Sequence, residues 1–249
     1  MTFLPSYTVR LLLIAPFIFS CTPSQTSENE DFTSLFNGRD LSGWVLPEGD
    51  GGHWQVIDGV IDYDALSEAP GDKNLWTENE YGDFVLHLEW RIKETPFVNQ
   101  NIRIIRPDGS YQKNINSKII RLALPDSDSG IYVRGMPKAQ INIWNWPVGS
   151  GEVWGYRTDS EMPDEVRAAV TPEIFADNHV GEWNNFEISM KEDLLTVVLN
   201  GHTVIRNAQL PGIAERGPVG LQHHGGQVDG EWVSPPSLVQ FRNIYIKEL

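Results

Sequence analysis

Apolar residues recur with a period of two along this chain, and that pattern constrains its fold more than any other feature. From Phe84 to Ile92 every other residue is apolar, while His87, Glu89 and Arg91 share the opposite face. Residues two apart on a strand point to one side of a sheet, so this segment reads as a strand with one buried face. Residues 140–146 alternate in the same way: Gln140, Asn142, Trp144 and Trp146 fall on one face, Ile141 and Ile143 on the other. Further strands are predicted at 53–63, 130–135, 183–190, 194–199, 203–207, 217–223 and 237–247, with Asn200-Gly201 as a two-residue hairpin turn. Only residues 163–169 are predicted helical, with Pro163 in the first turn. Residues 102–105 and 118–122 predict an inserted hairpin around Asp108-Gly109, and 147–182 a second long excursion. Many strands and almost no helix predict an all-β chain, an antiparallel two-sheet β-sandwich with long loops.

Charge and motifs then remove whole classes of function. The 249 residues include 34 acidic and 19 basic side chains, a net charge of −15. A nucleic-acid partner needs a basic surface to displace counterions, so none is expected, nor is electrostatic docking on anionic lipid. One cysteine excludes an internal disulfide framework and a cysteine-based zinc cluster. The chain has no Gly-rich phosphate loop, no Gly-x-Ser-x-Gly elbow and no His-Glu-x-x-His.

The amino terminus reads as an export signal. Arg10 precedes a short apolar run, Leu11 to Phe19, about half of what a membrane span needs. Residues 1–20 are therefore expected to be a signal peptide. Ile18-Phe19-Ser20-Cys21 resembles the lipobox of bacterial lipoproteins, which would make Cys21 the lipidated residue. The other reading is an ordinary signal with an incidental cysteine. Residues 21–31 are polar and read as a flexible tether, and 32–249 as one domain. The expectation is an exported, periplasmic or outer-membrane lipoprotein that meets the membrane only through its lipid anchor.

Several side chains are candidates for chemistry. Trp144 and Trp146 beside the amides of Gln140 and Asn142 combine stacking surface with forked hydrogen-bonding groups, as a sugar requires. Arg134, on the polar side of 130–135, suits a carbonyl or carboxylate clamp, or an ion pair with a carboxylate such as Glu89. His223 and His224 are adjacent, so alternation sends at most one into a given site; an imidazole is suited to proton transfer near neutral pH. Glu89 is the favoured pocket carboxylate. Glu152 and Tyr156 are placed at the same mouth from the loop, and Asp126 with Asp128 form a possible calcium pair.

These segments, in their order and spacing, resemble the 3-keto-disaccharide hydrolase domain family. The matching pieces are Phe36 to Trp44, Trp54 to Gly59, Asp83 to Arg91, Ser129 to Gly135, Gly181 to Asn184, Leu199-Asn200-Gly201, His224-Gly225 and Phe241 to Ile244, spanning about residues 32–249. The resemblance implies a concanavalin-like jelly roll with a sugar cleft on one sheet, and cleavage of glycosides oxidised to a ketone at C3. Many members carry Glu-x-Gln where this chain has Gln140-Ile141-Asn142, which shifts weight onto Glu89, His224 and Glu152. The chemistry so implied is removal of the acidified C2 proton, elimination of the C1 aglycone and hydration. Glu89 or His224 would be base or acid, Arg134, Gln140 and Asn142 would hold oxygens, and Trp144 would stack on the ring. No cofactor is evident; a divalent metal is an alternative enolate stabiliser without a clear ligand set. The expected partners are a keto-sugar and, functionally, a sugar 3-dehydrogenase that makes it. A non-catalytic, lectin-like domain is the competing reading; a buried, perturbed carboxylate or His in a pocket would favour the enzyme.

Overall fold

The computed structural model describes residues 31–249, and the expected signal peptide, Cys21 and most of the tether lie outside the described residues. In chain order the strands are β1 (Thr33–Ser34), β2 (Trp44–Val45), β3 (Trp54–Ile57), β4 (Val60–Tyr63), β5 (Leu75–Tyr81), β6 (Phe84–Ile92), β7 (Phe97–Arg103), β8 (Arg121–Asp126), β9 (Asp128–Tyr132) and β10 (Gln140–Trp144). Two short helices follow, α1 (Trp154–Arg157) and α2 (Asp164–Ala169). Then come β11 (Asn184–Lys191), β12 (Leu194–Leu199), β13 (His202–Gln209), β14 (Gly217–Leu221), β15 (Gly226–Val228), β16 (Glu231–Ser234) and β17 (Val239–Glu248).

Two antiparallel sheets make the sandwich. The larger runs β13-β12-β11-β6-β17-β4-β3, with β1 on β17; the smaller runs β10-β9-β14-β5-β2. Their inward residues form one core. Leu86, Leu88 and Trp90 of β6, Ile188 of β11 and Phe241 of β17 meet Leu75, Ile131, Ile141, Ile143 and Leu221 of the smaller sheet. This is the predicted fold class, and the period-two pattern of β6 alternates buried and half-buried along its whole length. The Asn200-Gly201 hairpin joins β12 to β13 with both residues at positive φ (51° and 80°), as a type I′ turn needs.

Local departures have local causes. The predicted strand 130–135 ends at Tyr132: Arg134 and Gly135 take positive φ (51° and 65°), turning the chain into a single 3-10 turn, Pro137–Ala139, that leads to β10. The inserted hairpin is longer than predicted. Its strands β7 and β8 pair from Phe97↔Asp126 to Arg103↔Arg121, and bridges at Ile105↔Tyr111 and Lys113↔Ile119 extend the pairing. Pro163 caps α2 rather than sitting inside it, and α1 is a helix that the alternation did not predict.

Candidate active site

The exposed face of the smaller sheet is defined by register. Gln140 lies opposite Tyr132, Asn142 opposite Gly130 and Trp144 opposite Asp128. On the other flank of β9, Gly220 opposes Tyr132, and the Gln222 N–H donates to Gly130 O at 2.9 Å. Because alternate residues share a face, Gln140, Asn142, Asp128, Gln222 and His224 converge on one side. They line a cavity of about 270 Å³ with Trp154, which the loop after β10 brings over the face half exposed.

Amides make the floor. Gln140 Nε2 donates to Asn142 Oδ1 (2.7 Å) and Gln222 Oε1 (2.6 Å), and Gln222 Nε2 donates back to Gln140 Oε1 (3.1 Å). Gly130 permits this crossing: a Cβ there would sit 2.8 Å from both Gln140 Cγ and Nε2. Beneath Asn142, the Glu152 carboxylate accepts from Asn142 Nδ2 (2.8 Å) and pairs with Arg157 Nε, both members fully buried. Glu152 therefore braces the floor from below instead of facing the cavity.

Asp128 is the carboxylate that lines this cavity. Its Oδ1 is buried without a hydrogen-bond donor. Burial pushes its carboxyl up to about 6, with the His224 charge pulling it down and the Asp126 charge pushing it up. Asp126 itself is occupied: it accepts from Asn99 Nδ2 (2.7 Å) and Trp146 Nε1 (3.1 Å). His224 is fixed by its backbone N–H on Ser237 Oγ (2.6 Å) and by Nδ1 on Pro235 O (2.6 Å). A carbonyl only accepts, so Nδ1 carries a proton and Nε2 is the nitrogen left to gain or lose one. His223 points the other way: its Nδ1 shares a 2.6 Å hydrogen bond with the Tyr63 hydroxyl, and burial lowers its pKa to about 4.

The other sequence candidates are placed elsewhere. Glu89 is on the outward face of the larger sheet, held by Arg242 (2.6 Å) and Asn243 (2.9 Å), and does not meet His224. Arg134 donates to the carbonyls of Gly82 (2.9 Å), Glu192 (2.7 Å) and Ala214 (3.0 Å) and to Asp83 (2.8 Å), with no part in the Asp128 cavity. Tyr156 is in the core, its hydroxyl on Pro211 O (3.2 Å). Trp144 is 2 % exposed and stacks on Trp146, centroids 4.3 Å apart, so the pair packs on itself rather than offering an open platform. Trp144 instead borders a second cavity with Trp90, Phe175 and His179. Three residues of the site were missed as sugar-site groups. Asp128 and Gln222 each lie one alternation step from residues already placed, Gly130 and His224; Trp154 carried no periodic signal. Among the described residues, no cluster of three or more His, Cys, Asp or Glu side chains is arranged to hold a metal.

Comparison with known proteins agrees with the fold. A family model described as "3-keto-alpha-glucoside-1,2-lyase-like domain" matches residues 31–247. Two crystal structures named "putative glycosyl hydrolase", both from Parabacteroides distasonis ATCC 8503, share the architecture. One superposes with a TM-score of 0.58 at 24 % identity over 88 % of this chain and 84 % of the other. The second gives 0.53 at 21 % identity over 88 % and 94 %. No protein of curated function matches the sequence.

Proposed function

The chain belongs to the 3-keto-alpha-glucoside-1,2-lyase-like domain family, and on that premise we propose that it cleaves 3-keto-glycosides at the Asp128 cavity. One observation carries the reading: a half-buried carboxylate whose Oδ1 is buried without a donor and whose pKa is raised, lining a cavity floored by amides. A carboxyl near 6 is ionised at neutral pH yet basic enough to take an acidified proton.

The 3-ketone acidifies C2–H. Asp128 removes that proton, and the electron pair delocalises onto the keto oxygen as an enolate. The pair then returns to form a C1–C2 double bond as the C1–oxygen bond breaks and the aglycone leaves. His224, with its Nδ1 proton committed to Pro235, gives the Nε2 proton of its imidazolium form to the departing oxygen and is left neutral. Water adds to C1 and gives its proton to His224 Nε2, while the proton held by Asp128 returns to C2, giving a free 3-keto sugar and restoring both groups. The Gln140, Asn142 and Gln222 amides supply donors to the oxygens, where preorganised dipoles stabilise developing charge. Trp154 offers the ring a stacking face. No pair of carboxylates at glycosidase spacing is required.

A lipoprotein exported and anchored through Cys21 would meet its keto-sugar outside the cytoplasm, where a sugar 3-dehydrogenase would have to make it. The decisive assay incubates residues 28–249 with 3-keto-trehalose, 3-keto-sucrose and a 3-keto-β-glucoside beside the unoxidised sugars, with and without EDTA. Aglycone should appear from keto-sugars only. Asp128→Asn and His224→Ala should each lose turnover; full activity in both sinks the assignment. Binding without release from any substrate would leave the lectin-like domain, and loss of release with EDTA would add a metal.

A further inference from the structure

The inserted hairpin has a charge unlike the rest of the molecule. Residues 97–121 hold five basic side chains (Arg103, Arg106, Lys113, Lys118 and Arg121) and one acidic, Asp108, in a chain with 19 basic and 34 acidic residues. The cations are poorly compensated. Arg106 reaches Asp108 only at 3.8 Å with both side chains exposed, and Arg103 Nε is buried without an acceptor.

These side chains border a formed cleft. Arg106, Ser110, Tyr111, Lys113 and Ile119 of the hairpin face Arg167 of α2. The hairpin tip is tucked against that helix, since a Cβ at Gly109 would lie 2.7 Å from Arg167 O. Tyr111 sits under two guanidinium groups, Arg103 (4.8 Å) and Arg157 (4.9 Å). Burial alone would push its phenol up, yet those two cations hold it below its ordinary value.

Buried side chains link the cleft to the floor of the proposed sugar site. Asn142, on the cavity floor, donates to Glu152; Glu152 pairs with Arg157; and Arg157 donates to Tyr111 Oη at 3.3 Å. We propose that the cleft is an oxyanion site of its own, taking the sulfate ester or carboxylate of a small acidic sugar. The sugar character of that ligand rests on the function proposed above; the affinity for anions does not. A long polyanion is disfavoured because the molecule around the cleft is strongly acidic, whereas a single anionic group meets the basic side chains alone.

Calorimetry with four probes tests this: glucose, glucuronate, glucose 6-sulfate and inorganic sulfate. Each exposed cation contributes a fraction of a kcal/mol, so at about 0.01 M ionic strength the two acidic sugars should bind about tenfold tighter than glucose. The difference should vanish at about 1 M salt, and in R106A/K113A, whose substitutions are exposed and leave the core intact. Equal binding of charged and neutral sugars overturns the proposal, as does affinity that survives both substitutions. Inorganic sulfate bound as tightly as glucose 6-sulfate would overturn the saccharide assignment. Asp128→Asn separates the two readings: turnover retained there, with anion binding still dependent on Arg106 and Lys113, would remove the catalytic assignment and keep the cleft.

Discussion

In the proposed function, Asp128 serves chemistry at the expense of the fold. An unfolded aspartate titrates near 3.9; in the cavity burial raises it to about 6. The folded state therefore holds the proton more tightly. Below pH ~4 the neutral acid is tolerated and no stability is lost; as pH rises through about 6 the buried charge is forced on and stability falls. Asp128→Asn should therefore stabilise the domain by about 3 kcal/mol at neutral pH and above, and leave it unchanged near pH 4, as read from urea midpoints. The same substitution should lower kcat/KM by about 10³, and the acid limb of the wild-type profile should bend near pH 6. A variant of unchanged stability at every pH would mean that the carboxylate is not buried as described.

At the scale of elements, β9 is the strand on which the site depends, because its neighbours reach across it. Gly130 is there so that Gln140 of β10 can cross to Gln222 beyond β14. Gly130→Ala would drive a methyl into Gln140 and against Ile141 O. Overpacking of this kind costs about 1–3 kcal/mol, and the displaced amide should raise KM more than it lowers kcat. Wild-type KM in this variant would show that the amide bridge does not serve substrate. Alternation placed Gln140 and Asn142 on a common face and separated His224 from His223. It could not rank Glu89 against Asp128, because both lie on polar faces of strands. β6 turns its polar face outward, where Arg242 and Asn243 of β17 satisfy Glu89; β9 turns its polar face into a cavity, where Asp128 has no donor.

Across the whole molecule, Arg134 binds the turns at one end of the sandwich together. Its guanidinium joins the β5–β6 turn at Gly82 and Asp83, the β11–β12 turn at Glu192, and Ala214 ahead of β14, so it ties both sheets. Lysine keeps the charge but not the fork. Arg134→Lys should leave buried carbonyls unpaired and destabilise by about 2 kcal/mol, with KM for a keto-sugar unchanged because the residue is outside the Asp128 cavity. A shift in KM without a shift in the unfolding midpoint would return Arg134 to the substrate.

The sequence by itself determined the layers of this protein: period two is a property of each strand, and burying one apolar face on each forces two sheets to pack. It also determined the hairpin at Asn200-Gly201, since only certain residues adopt positive φ easily. The tertiary structure alone decided which polar face became a cavity. That depended on the loop after β10 carrying Trp154 over the smaller sheet, on Arg134 leaving the strand at a left-handed turn, and on the registers that set Asp128 beside His224. Those are relations between segments far apart in the chain, and local periodicity does not encode them.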